Sequence, residues 1–165
     1  MKKSVFITLA FVCLLISSSV LAKSTPWGPK EKRFGLGIVL GEPTGITAKG
    51  YLTKALAIDV VGAWSFVNNG ATILGDATYD FFDLPVDSDV ITVPFYAGAG
   101  AKVVINGNQQ HRSDRSSFGV RIPVGLAIQW QKYPVELYLE VGPGIELAPE
   151  TEADISGGLG ARYYF

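Results

Sequence analysis

The chain's only histidine, His111, sits in NGNQQHRSDRSS, residues 106–117, with Ser113, Asp114 and Ser116 close by. Serine, imidazole and carboxylate together are the material of acyl transfer, with histidine as base and serine as nucleophile. That chemistry needs its groups held rigidly, and a polar loop of this kind gives them no fixed geometry. Glu136 and Glu140 form a second candidate, a carboxylate pair of the sort used for acid/base work. Four residues apart they share one face of a strand, where Arg121 and Arg162 are their simpler partners. The run Gly98-Ala99-Gly100 is glycine-rich enough to suggest a phosphate cradle. No helix follows it to supply the anion-binding end. One histidine and one cysteine, Cys13, cannot build a transition-metal cluster. The sequence therefore predicts no catalytic residues, no metal and no cofactor, and points to a non-enzymatic protein.

The elements that carry these residues are strands. The first 22 residues read as a secretory signal: Lys2 and Lys3, the apolar run VFITLAFVCLLI, then Val20-Leu21-Ala22 before the cleavage point. The run is short for a membrane-spanning helix. Cys13 lies inside it, so the exported chain has no thiol and no disulfide. Without Lys2 and Lys3, 12 basic residues face 15 acidic ones, a balance that argues against nucleic acid as a partner. Residues 23–33, with two prolines, read as a flexible N-terminal segment. Residues 34–165 then form one domain in which apolar and polar residues alternate between turns. Eight strands are predicted, at 34–41, 45–52, 55–66, 72–82, 91–105, 118–130, 135–147 and 153–165. Pro94, Pro123 and Pro143 fall inside strands and imply bulges.

Alternation has two readings. In a soluble barrel the apolar face is the core; in a membrane barrel it meets lipid and the polar face lines the interior. Three features favour the second. The polar face is rich in glycine (Gly35, Gly37, Gly98, Gly100, Gly119, Gly125, Gly142, Gly144, Gly158, Gly160), as a narrow interior requires. Its charges nearly complement one another: Lys49, Lys102, Arg121 and Arg162 against Asp59, Asp76, Asp80, Glu136, Glu140, Glu146 and Asp154. Enclosed charges must be paired. Aromatics gather at strand ends on the apolar face, with Phe34, Tyr79, Phe81, Phe95, Trp130, Tyr163 and Phe165 at the end where the chain stops and Trp64, Phe66 and Phe118 at the other. These resemble interfacial girdles.

An N-terminal signal, eight alternating strands and the ending Ala161-Arg162-Tyr163-Tyr164-Phe165 together resemble the small outer-membrane β-barrels of the OmpA-transmembrane-domain and OmpX type. The front segment FGLGIVLGEPTGITAKGYL is similar to a group of largely uncharacterised bacterial outer-membrane barrels with a Gly-x-Pro-x-Gly turn. The resemblance implies an all-β, eight-stranded, antiparallel up-and-down transmembrane barrel in the bacterial outer membrane. It also implies that Tyr163 and Phe165 belong to a C-terminal signal read by the outer-membrane barrel-assembly machinery. The expected partners are membrane lipid, lipopolysaccharide phosphates through Arg112 and Arg115, and a surface ligand through residues 106–117 with His111. A monomer is expected. The function expected is that of a structural or surface-binding barrel with a packed, poorly conducting lumen. The other readings are a narrow pore, an outer-membrane lipid-modifying enzyme and a soluble lipocalin-like binder.

Overall fold

The computed structural model describes residues 27–65, 70–106 and 116–165. The segment read as a signal, residues 23–26 and His111, Arg112 and Arg115 lie outside the described residues. The elements are β1 (Phe34–Glu42), β2 (Thr44–Tyr51), β3 (Leu56–Ser65), β4 (Gly70–Asp83), β5 (Ile91–Thr92), β6 (Pro94–Asn106), β7 (Ser117–Arg121), β8 (Val124–Trp130), β9 (Val135–Ala148) and β10 (Glu152–Tyr164), with a short 3₁₀ turn at Pro29–Glu31. Every pairing is antiparallel between neighbours, and β10 closes on β1 from Gly35–Tyr164 to Glu42–Gly157. The result is an all-β, closed, eight-stranded antiparallel barrel in which β5 with β6, and β7 with β8, each make one stave.

Those two interruptions are where the sequence reading of unbroken strands at 91–105 and 118–130 differs from the structure. Pro94 and Pro123 have no N–H to give the ladder, and the strands are interrupted next to them. The ladder steps around Pro123: its carbonyl accepts from the Gly98 N–H at 2.9 Å, and the Ile122 N–H reaches the Pro143 carbonyl at 2.9 Å. Pro143 itself stays in β9, paired with Ile155. A further register shift lies between Asp80 and Phe82 where β4 meets β6.

Barrel size follows from the register. Paired positions run from Gly35 through Lys49, Asp59, Asp76, Gly100, Arg121 and Gly144 to Asp154. The β10–β1 register brings Asp154 level with position 45, ten residues from the start. Eight strands with that stagger tilt by about 40–45° and leave an interior just wide enough for side chains. Glycine lets the wall close at its seam. A Cβ on Gly37 would run into the Ala161 carbonyl of β10.

The two faces are inverted relative to a water-soluble fold. Leu36, Ile38, Ile46, Ile58, Val60, Ile73, Leu137, Leu139, Val141 and Leu159 all point outward and are exposed. Lys49, Asp59, Thr78, Gln129, Glu136 and Arg162 point inward and are at most 4 % exposed. Globular proteins do the opposite with charge.

Candidate functional site: the charged lumen

Interior side chains come from alternate positions of every stave, so partners far apart in sequence meet across the axis. Arg162 of β10 is the hub. Its Nη2 lies 2.6 Å from Asp59 Oδ1 of β3, and its Nη1 lies 2.8 Å from Glu136 Oε1 of β9. Its Nε and Nη2 also donate to the Thr47 hydroxyl of β2. The guanidinium carbon sits 3.8 Å over the Tyr138 ring. Such bonds between ionised groups are the strong ones.

The hub extends toward the end of the barrel where the chain stops. Glu136 Oε2 accepts from Gln129 Nε2 at 2.8 Å and from the Tyr164 hydroxyl at 3.1 Å. Gln129 Nε2 also donates to the Tyr51 hydroxyl, which donates to Asp80 Oδ2 at 3.0 Å. Lys49 stands between Asp59 (3.8 Å) and Asp80 (4.0 Å), with its ammonium over the rings of Tyr96 and Tyr51. Thr78 donates to Asp59 Oδ2. Toward the other end Arg121 pairs with Glu140 and, at 3.5 Å, with Asp76. Glu140 also accepts from the Tyr96 hydroxyl at 2.9 Å. Higher still, Lys102 bridges to Asp154 at 2.9 Å, and Ser117 donates to Glu146. Gly142 makes room for this layer, since a Cβ there would strike the Arg121 guanidinium.

All eleven charged residues expected on the polar face thus point inward: Lys49, Asp59, Asp76, Asp80, Lys102, Arg121, Glu136, Glu140, Glu146, Asp154 and Arg162. They fall into a central network, the Arg121 group and the Lys102–Asp154 pair near the loop-side rim. Glu136 and Glu140 are drawn to different arginines and face no common substrate position. Reading the charges alone missed Thr47, Thr78, Gln129, Tyr51, Tyr96, Tyr138 and Tyr164, which supply hydroxyls, an amide and ring faces. Their parity was the available signal, because each lies on the same face as the charges. Tyr163 and Phe165 point outward at the strand end, their rings 5.2 Å apart. Among the described residues no group of His, Cys, Asp and Glu converges to hold a metal.

A cavity of about 20 Å³, lined among others by Val39, Asp59, Asp76, Arg121, Tyr138 and Glu140, has room for a single water. At the end of the barrel where β10 stops, residues 27–33 pack against the interior. Trp27 packs on Tyr51, Ala57 and Tyr164, and Pro29 is fully buried. The Tyr51 N–H is bonded to the Arg33 carbonyl at 2.8 Å. This arrangement ties the side chains of opposite staves to one another.

Comparison of the chain with protein-family models, with curated proteins and with solved structures finds no match.

Proposed function

We propose that the protein is an integral barrel of the bacterial outer membrane, of the same general kind as the small OmpA- and OmpX-type barrels. In this reading it serves as a packed structural element and presents the connections at its loop-side rim to the outside. One observation carries the reading: large apolar side chains cover the outer wall while a paired ionic network fills the inside. In water that arrangement wastes the hydrophobic effect and buries charge at a cost. In a bilayer both terms reverse, because hydrocarbon accepts the outer wall and the closed ladder satisfies the backbone. A strand of ten residues tilted by about 40–45° climbs about 24 Å, close to the roughly 25 Å apolar band of outer-membrane barrels. Exposed aromatics mark both rims: Phe34, Tyr79, Phe81, Tyr163 and Phe165 at one, Trp64 and Phe118 at the other.

The ionic packing argues against a pore, and the dispersal of Glu136 and Glu140 onto separate arginines argues against lumenal catalysis. A surface-binding role through residues 106–117 extends the reading. Deleting that loop should leave a folded barrel and remove binding to the outer partner. The reading as a whole is tested by fractionating cells that express the protein. It should sediment with outer membranes, resist carbonate washing and shift its gel mobility on boiling. Release into the soluble periplasmic fraction would contradict it.

A further inference from the structure

Two aromatic rings are buried where a barrel would stand open to water. Tyr51 ends β2 and Tyr164 ends β10, both at the mouth beside the chain terminus. Yet Tyr51 is 5 % exposed and Tyr164 not at all. What lies over them is the chain ahead of β1. Trp27 packs on Tyr51, Ala57 and Tyr164. Gly28 follows with φ 50° and sits so close that a Cβ there would meet both tyrosine rings and the Lys32 carbonyl. Pro29 is fully buried, and the turn at Pro29–Glu31 reaches β8, which is separated from β1 by β9 and β10. The segment then returns. Arg33 stacks its guanidinium 3.8 Å over the Trp27 ring, and its carbonyl accepts from the Tyr51 N–H at 2.8 Å. Residues 27–33 thus cross the mouth as a strap, with Trp27 and Pro29 as its buried anchors.

The strap is attached differently from the staves. Its own backbone bonds run inside it, from the Glu31 N–H to the Gly28 carbonyl and from the Lys32 N–H to the Pro29 carbonyl. It is also strained. Lys30 has φ 55° and ψ 33°, and Glu31 has φ 58°. Residues with a Cβ enter this left-handed region at a cost and stay there only when their surroundings impose it. A strained segment outside the ladder is drawn from the low-stability end of a fold and opens before the sheet does. We propose that residues 27–32 are a detachable plug for the chain-end mouth, with Arg33 as its hinge. Seated, the plug seals Tyr51 and Tyr164 from water, together with the Gln129 and Glu136 groups that bond to them. Released, it uncovers an aromatic socket while the eight staves stay closed. The inference stands apart from the membrane reading, because the mouth belongs to the closed barrel in any solvent.

The test is hydroxyl-radical labelling of the full folded chain, with the rate at each tyrosine read by mass spectrometry. Tyr133, 64 % exposed, is the open standard, and the mid-lumen Tyr96 and Tyr138, 1 % and 3 % exposed, report on the barrel itself. In the wild type Tyr51 and Tyr164 should label at least about tenfold more slowly than Tyr133, an opening free energy of about 1.4 kcal/mol or more. Trp27→Ser removes an anchor, and Gly28→Val places a side chain against the rings and the Lys32 carbonyl. Each should bring Tyr51 and Tyr164 close to the rate of Tyr133 and leave Tyr96 and Tyr138 protected. Lys30→Gly, which adopts the left-handed backbone without penalty, should slow Tyr51 and Tyr164 below their wild-type rates. Three results would overturn the inference: Tyr51 and Tyr164 labelling like Tyr133 in the wild type, both staying protected in Trp27→Ser and Gly28→Val, or all four lumenal tyrosines gaining label together, which would mean that the barrel opens rather than the plug. An unchanged or faster rate in Lys30→Gly would remove strain as the cause of release.

Discussion

Replacing Arg162 with methionine should unlock the lumen. The side chain joins four strands: β10, on which it sits, Asp59 of β3 at 2.6 Å, Glu136 of β9 at 2.8 Å and Thr47 of β2. It is 2 % exposed, and Glu136 is fully buried. Removing one partner of a buried ion pair costs about 3–5 kcal/mol, because the other is left charged without compensation. Two carboxylates lose their partner here, but neither is stripped bare. Asp59 keeps Lys49 at 3.8 Å and the Thr78 hydroxyl, and Glu136 keeps Gln129 and Tyr164. The expected loss for Arg162→Met is therefore about 3–5 kcal/mol rather than double that. Glu136→Gln leaves Arg162 with Asp59 and should cost about 1–3 kcal/mol. In the double variant no glutamate remains to be stranded, so its cost should fall short of the sum by about 1–3 kcal/mol. Urea titration of the refolded protein, with the folded fraction read from gel mobility, measures all three. A loss below about 1 kcal/mol for Arg162→Met, or strict additivity in the double variant, would refute the claim that this pair organises the interior.

Three other outcomes are expected. Leu139→Arg on the outer wall should cost about 2–4 kcal/mol in a bilayer, whereas Glu140→Gln should cost less because Arg121 keeps Asp76; equal tolerance in urea titrations would contradict the assignment of faces. Gly37→Val places a side chain against the Ala161 carbonyl across the β1–β10 seam, and overpacking of that severity should cost about 3 kcal/mol or prevent closure, read as lost refolding yield. In planar bilayers the protein should show no sustained conductance, since ion-paired side chains cross the interior; stable open levels would contradict a packed lumen.

Most of the fold was legible in the sequence, and the reason is periodicity. In β9 the alternation of Val135, Leu137, Leu139 and Val141 with Glu136, Tyr138 and Glu140 fixes both the strand and its two faces. Pro94 and Pro123 flagged the two interruptions, whereas β9 runs unbroken through Pro143, and the sequence could not say which proline breaks a strand. That depends on whether the absent N–H falls where the ladder needs a donor. Pairing in the lumen was legible only in part: Arg121 and Arg162 were expected as partners of the Glu136/Glu140 pair, whereas the bond from Arg162 to Thr47 was not. Arg162 and Thr47 are 115 positions apart and meet because both pair with Gly37, from either side of β1, once β10 closes on it, which no local pattern encodes. The buried tyrosines share the parity of the charges, so their face was legible, but their partners were not. Tyr51 and Tyr164 alternate with the apolar wall, and only the closed barrel reveals that Trp27 packs against them.

The central claim is that the outer wall meets hydrocarbon. It is tested most directly by a single tryptophan at position 139, with Trp27, Trp64 and Trp130 replaced by phenylalanine, in vesicles whose lipids carry bromine at mid-chain. Strong quenching by the brominated lipid together with protection from aqueous iodide is the expected result. Quenching by iodide with no effect of the brominated chains would contradict it.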